Sequence, residues 1–441
     1  MSKMDTATLQ AITLGCSKNK VDTEHLLAQL GGRYAILPEE WNGKADVVIL
    51  NTCGFIGDAK EESIGAILQA VQRKMAGDVG KILVFGCLSQ RYMAALREEI
   101  PEVDGWFGAR DLLPVVKALG GTGVSFPSRH IQEKHPYAYL KISEGCDRRC
   151  SYCAIPFIRG AHKSVPVEEL VREARELASG GVKELILIAQ DTTYYGLDLY
   201  RERALARLIR ELSAIGGIEW IRIHYSYPAD FPEDVLDEMA TNPKVCKYLD
   251  IPLQHISDKV LSMMHRQVDG AWTRALISKL RERVPGVVLR TTMIVGHPGE
   301  GKKEFRELMD FVSEARFERL GAFTYSEEDG TFGAKNYRDN VPRKEKQARL
   351  DALMELQKDI SLSFNQSRVG QVERVLVDGY YDGFLICRSQ YESPEVDGEI
   401  LVEYSPEKFG GEPVEKLTGS FITVRITSAD EYDLVAEPLE L

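Results

Sequence analysis

Three cysteines, Cys146, Cys150 and Cys153, share the stretch KISEGCDRRCSYCAIPFIRG in a CxxxCxxC array. Three thiols this close together point to a metal. Structural zinc takes four ligands, usually as two paired knuckles. The chain has no second CxxC, and the nearest downstream histidine, His162, makes an odd fourth ligand. A cubane iron–sulfur cluster has four irons, each needing one external ligand, so three cysteines leave one iron open for chemistry. Spacing and ligand count both favour the cluster, with a zinc scaffold as the alternative.

Three further cysteines fall in LGCSKN (Cys16), NTCGF (Cys53) and GCL (Cys87). Each ends a short apolar run: LQAITLGC, ADVVILNTC and KILVFGC. Helical patterns follow near 22–31, 58–76 and 89–98, which predicts β-α-β units and a doubly wound parallel sheet. Ligands of such sheets bind outside the carboxyl ends of the strands. One cysteine at each of three strand ends therefore suggests a second shared site, against the alternative of ordinary buried thiols. Cys246 and Cys387 lack this placement and read as packing residues.

The elements around CxxxCxxC repeat a β/α rhythm six times. Strands are predicted at 139–143, 184–191, 220–227, 248–254, 288–296 and 320–326, with helical patterns such as 167–181 between them. Six units in this span imply an incomplete TIM-like barrel with its chemistry on the loops after the strands. The polar stretch at 128–136 reads as a linker, and 343–365 as a charged helix. After Gly370 short alternating runs predict a small all-β barrel of five or so strands. The expected domains are 8–127, 137–366 and 367–441.

CxxxCxxC with the aromatic Tyr152 before its last cysteine resembles the radical S-adenosylmethionine (SAM) enzymes. The resemblance implies that the open iron chelates SAM, which reductive electron transfer then cleaves to a 5′-deoxyadenosyl radical. The three N-terminal cysteine motifs, followed by such a barrel and a TRAM-like β-barrel, resemble the methylthiotransferase family over essentially the whole chain. This implies two [4Fe-4S] clusters, one on Cys146, Cys150 and Cys153 and one on Cys16, Cys53 and Cys87. It further implies a SAM pocket lined by Tyr152, Gln190, Asp191 and Glu300. Turn chemistry and helix capping are the alternative for those loops. Arg159, just after the cluster loop, is a candidate carboxylate or phosphate contact, with a solvated loop arginine as the alternative.

The family has two main substrate classes, an adenosine in transfer RNA and an aspartate in ribosomal protein S-twelve. Residues 370–441 carry 16 acidic and 5 basic residues, nearly the whole net charge of -12. A carboxylate surface repels RNA and attracts a basic ribosomal protein, so direct RNA binding by this module is not expected. LGCSKNKVDTE, HYSYP, YLDIPLQH (with His255) and DEYDL are similar to the ribosomal-protein branch; MMHRQVDG, with His265, departs from its pattern. The resemblance implies β-methylthiolation of the aspartate with two SAM, and an electron donor such as flavodoxin or ferredoxin. The protein supplies positioning while the cofactors supply reactivity. A transfer-RNA enzyme and a non-catalytic iron–sulfur ribosome-binding factor are the rival readings. No run of 18 apolar residues exists, so no membrane span is expected. The opening MSKMDTATLQ lacks a secretory pattern, which predicts a cytoplasmic protein.

Overall fold

A computed structural model of the chain describes residues 6–121 and 128–439. Residue 127, the expected end of the first domain, lies outside them. Two compact units are present. The first contains Met1–Lys134, Ser143–Glu173 and Glu328–Thr331, and the second His135–Ile142, Ala174–Glu327 and Phe332–Leu441.

In the first unit, β1 (Thr8–Thr13), β2 (Ala35–Leu37), β3 (Ala45–Thr52), β4 (Val79–Gly86) and β5 (Gly105–Trp106) form one sheet in the order β2-β1-β3-β4-β5. All its pairs are parallel. Successive side chains of a strand point to opposite faces. Val48, Leu50, Ile82 and Val84 accordingly pack with Ile67, Val71 and Leu96 of two helices, Gly57–Met75 and Cys87–Glu99. Their neighbours Val47, Ile49, Leu83 and Phe85 pack with Leu26, Leu30 and Val115 on the other face. The predicted doubly wound sheet is present. The two strands missing from the sequence reading, β2 and β5, are three and two residues long, too short for a periodicity.

The same unit holds the cysteine loop. A ribbon of β7 (Ser143–Glu144) and β8 (Lys163–Ser164) closes its base, following β6 (Tyr137–Lys141) in the chain.

In the second unit, β6, β9 (Glu184–Ile188), β10 (Trp220–Ile223), β11 (Val245–Asp250), β12 (Val288–Val295) and β13 (Arg319–Thr324) form one sheet in that order. Neighbours in the chain are neighbours in this sheet. All pairs are parallel, and β6 and β13 are its edges. This is the six-stranded partial barrel predicted from the sequence, with most strands ending sooner than the apolar runs suggest.

Helix Arg343–Arg368 leads to a closed barrel of β14 (Val372–Tyr381), β15 (Phe384–Arg388), β16 (Ile400–Glu403), β17 (Phe421–Ala429) and β18 (Leu434–Pro438), ordered β14-β15-β16-β18-β17. Alternate residues, among them Val375, Val377, Leu385, Ile400, Val402, Val424 and Ile426, fill it. At the β14–β15 turn Asp382 and Gly383 both have positive φ, as a two-residue hairpin requires. No helix among the described residues is long and apolar enough to cross a membrane.

Buried ion pairs join the closed barrel to the central sheet. Glu184 meets Arg222 and Arg388 at 2.6 and 2.8 Å. Glu392 accepts from Arg368 and Arg319, and from the backbone and hydroxyl of Ser389. Burial alone would push the Glu392 carboxyl up, but the two guanidiniums and Ser389 hold it at about 2, below its usual 4.5. A carboxylate depressed on folding stabilises the native state above its unfolded pKa, and that contribution is lost as pH falls through the folded value. Glu392→Gln is therefore expected to lose about 3 kcal/mol near neutral pH. The gap to the parent should close as pH falls from 4.5 to about 2; chemical unfolding across that range measures it.

Candidate active site

The N-terminal cysteines end three adjacent strands' worth of chain. Cys16 precedes helix Ser17–Ala28, Cys53 follows β3, and Cys87 opens helix Cys87–Glu99 directly after β4. Their loops meet across glycines. Gly15 has φ +93°, and a Cβ there would lie 2.6 Å from Cys53 Cβ and 2.9 Å from its sulfur. A Cβ on Gly54 would come within 2.6 Å of the Leu88 backbone. Burial pushes the Cys87 thiol up to about 11; neighbouring Cys16 and Cys53 push the same way, and Arg159 opposes them. Burial and Cys16 raise Cys53 as well. The three thiols thus feel one another.

Cys146, Cys150 and Cys153 are half-buried. Gly145 and Gly160, both with positive φ, let the two limbs of their loop approach, and Cys146 N–H donates to Gly160 O at 3.1 Å. Arg148 N–H points at the Cys146 sulfur at 3.4 Å. Tyr152 sits half-buried between the last two cysteines. His162 is occupied with Ser164, Nε2 to Oγ 3.0 Å.

Arg159 joins the two cysteine sets, all within the first unit. The guanidinium is buried, with Nε donating to Cys87 Sγ at 3.3 Å and Nη1 to Asp22 at 2.6 Å and Glu144 at 3.2 Å. Nη2 donates to Asn19. Of the sequence alternatives, it makes carboxylate contacts, and they are to this chain's own residues. The helix that supplies Asp22 and Asn19 turns a polar face inward: Asn19, Asp22, Glu24 and His25 are all buried. Glu24 pairs with Arg129, and His25 with Glu173 at 3.3 Å.

The other loop residues lie in the second unit. Asp191 accepts from the N–H and hydroxyl of Thr193 and caps a short helical turn. Gln190 is half-buried just after β9. Glu300 is enclosed by His255 at 3.2 Å, Gly296 N–H at 3.0 Å and Arg349 at 2.6 Å. Burial opposes its ionisation, and these partners more than offset it.

Three residues escaped the sequence reading. His297 is fully buried, its Nδ1 against Pro298 O at 2.7 Å, and burial lowers its pKa to about 4, so it is a neutral imidazole. Tyr225 and Gln254, after β10 and β11, have positive φ. Such strain in non-glycine residues gathers at functional sites, but no sequence pattern announces it. His265, by contrast, packs at a tilt against Phe332 with ring centres 4.4 Å apart.

Among the described residues no group of three His, Cys, Asp or Glu side chains is arranged around a single metal ion. A cubane asks for something else, since each cysteine takes a different iron and the sulfurs stand apart. Two sets of three soft thiol donors, on glycine-lined loops, fit that group.

Comparison with known proteins agrees with this geometry. The radical SAM superfamily matches residues 140–312, the uncharacterized protein family UPF0004 residues 8–108, and the TRAM domain residues 369–439. A protein of Bacteroides thetaiotaomicron named ribosomal protein uS12 methylthiotransferase RimO is 48% identical over 434 residues, 98% of each chain. The protein of that name from Christiangramia forsetii is 48% identical over 438 residues, 98% of this chain and 94% of its own. The chain belongs to the RimO family.

It is a radical SAM methylthiotransferase, and its cofactors include SAM and an iron–sulfur cluster. Among solved structures, the radical SAM methyltransferase TsrM of Kitasatospora setae matches with a TM-score of 0.54 at 14% identity, covering 72% of each chain. The cobalamin-dependent SAM radical enzyme OxsB matches with a TM-score of 0.51 at 12% identity, over 80% of this chain and 56% of its own. At such identity the likeness concerns the fold alone.

Thiol reactivity tests the placement of the cysteines in this RimO-family chain. Burial lifts Cys246 to about 12 and raises Cys387 strongly. A thiol with a pKa near 12 holds roughly a thousandth of the thiolate of an ordinary one at about pH 8. Iodoacetamide on the folded, metal-free protein is expected to label the half-buried Cys16, Cys146, Cys150 and Cys153 first, Cys87 far more slowly, and Cys246 and Cys387 only on unfolding. Peptide mass spectrometry against time reads the order.

Proposed function

We propose that this chain methylthiolates the β-carbon of an aspartate in ribosomal protein uS12, using two [4Fe-4S] clusters and two molecules of SAM. The observation that carries the reading is the gathering of both cysteine triads in one compact unit, joined through Arg159. The substrate follows the printed name of the relatives that match along nearly the whole chain. Cys146, Cys150 and Cys153 would hold one cluster, and Cys16, Cys53 and Cys87 the other. When bound, the cluster on Cys146, Cys150 and Cys153 and SAM would supply the radical chemistry that an unactivated C–H bond requires, and the second cluster would carry or activate the sulfur.

The chain's own residues do the rest. The β7–β8 ribbon and the Gly145–Gly160 approach hold the first triad's loop in shape. The half-buried setting of Cys146, Cys150 and Cys153 leaves access for SAM, and the buried Cys53 and Cys87 keep water from the second site. In the second unit, Tyr225, Gln254 and the Glu300 group sit on loops at the carboxyl ends of barrel strands, where substrate is expected. Gln190 and Asp191 lie at the end of β9 on the same principle.

The closed β-barrel supplies the docking charge. Ten of its acidic residues are exposed, among them Glu399, Glu403, Glu407 and Glu415. Its four exposed cations, Arg374, Lys408, Lys416 and Arg425, are each beside a carboxylate. Such a surface suits a lysine- and arginine-rich protein and repels phosphates. The domains are assigned as 8–127, 137–366 and 367–441. A flavodoxin or ferredoxin would deliver electrons, and a ribosomal substrate puts the work in the cytoplasm.

The test is anaerobic reconstitution with iron, sulfide, reductant and SAM, then a competition between unmodified uS12 and unmodified transfer RNA. Mass spectrometry is expected to find the methylthio group on the protein's aspartate; a gain on RNA instead would overturn the substrate. Cys150→Ala should abolish SAM cleavage, while Cys53→Ala should retain cleavage and lose the methylthio product.

A further inference from the structure

Arg159 makes a contact that its charge balance does not require. Asp22 and Glu144 already neutralise it, both through Nη1, and Asn19 takes Nη2. Nε is spent on a sulfur, Cys87 Sγ at 3.3 Å. The backbone around this contact is braced on both sides. Arg110 Nε donates to Ile158 O at 3.0 Å, one residue before Arg159, and Gly160 O, one residue after, accepts from Cys146 N–H. On the far side, Asn19 donates to Leu14 O at 2.8 Å and its own carbonyl accepts from Asn51 at 2.8 Å. Ile158 and Ala154 pack on Cys87 itself.

N–H donors to ligand sulfur are one of the levers by which a protein sets the potential of an iron–sulfur centre, along with net charge and burial. A donor whose N–H is aimed at the sulfur stabilises the more negative, reduced centre. We infer that Arg159 is a positioning residue that holds the Cys146 loop against the Cys87 ligand and raises the reduction potential of the centre on Cys16, Cys53 and Cys87. This rests on the proposed assignment of those three cysteines as cluster ligands. The N-terminal centre is then more readily reduced than it would be without Arg159.

The test isolates the N-terminal centre in the full chain by replacing Cys146, Cys150 and Cys153 with alanine. The protein is loaded with iron and sulfide without oxygen, assayed for iron, and titrated redox-wise with electron paramagnetic resonance as the readout. In that background Arg159→Gln is expected to keep its iron and to shift the midpoint potential to more negative values. Arg159→Lys, which keeps the charge and loses the fork, should fall between the two. Equal midpoints for parent and Arg159→Gln would overturn the inference, as would a Lys variant more negative than the Gln variant. If Arg159→Gln does not fold, the Lys variant decides alone: a negative shift supports the inference and an unchanged midpoint sinks it. A parent background that binds no cluster, with its circular dichroism intact, refutes the cysteine assignment and the inference with it.

Discussion

Arg159 is only 4% exposed, and a charge so placed costs several kcal/mol unless fixed partners replace water. That demand explains much of the surrounding sequence. Asp22 and Asn19 come from helix Ser17–Ala28, which therefore buries polar residues alongside Val21, Leu26 and Leu27. Those residues need partners in turn, and Asn51 and Glu173 meet them within the same unit. Glu144 must stand at the start of the cysteine loop, in the ribbon that closes it. One buried cation thus constrains both cysteine loops.

The second unit uses the same device for another end. Glu184 lies between Arg222 and Arg388, and Glu392 between Arg368 and Arg319, with Tyr248 donating to Asp397 at 2.7 Å beside them. Apolar packing between a sheet and a barrel tolerates sliding, whereas charge-assisted bonds of fixed geometry do not. Trp220 against Phe421, with ring centres 4.8 Å apart, adds contact area, and the ion pairs fix the register.

How far the sequence could be read depended on the length and polarity of each element. Cys16, Cys53 and Cys87 were legible as a set because a parallel sheet presents its strand ends on one side. Periodicity misplaced the first helix, which begins at Ser17 rather than near 22, because its inward face carries Asn19, Asp22 and Glu24. Asp191 and Glu300 were legible as loop residues, but the partners of Glu300, His255 and Arg349, were not, since spatial neighbours across 45 or more residues leave no local pattern. The acidity of the last module was visible in its composition. What composition hides is that Glu373 and Glu392 face inward to cations, so the surface is less acidic than the count.

The closed barrel has its last strand in an interior place. β18 lies between β16, to which it runs parallel, and β17. A chain emerging from the ribosome therefore presents β14 through β17 with a gap that only Leu434–Pro438 can fill. Until that segment is free, both flanking strands keep unpaired edges, the kind of surface on which chains associate wrongly. Vectorial synthesis thus makes closure of this module wait for its last strand, and a polypeptide stopped before Leu434 would carry an open sheet where the closed barrel has none.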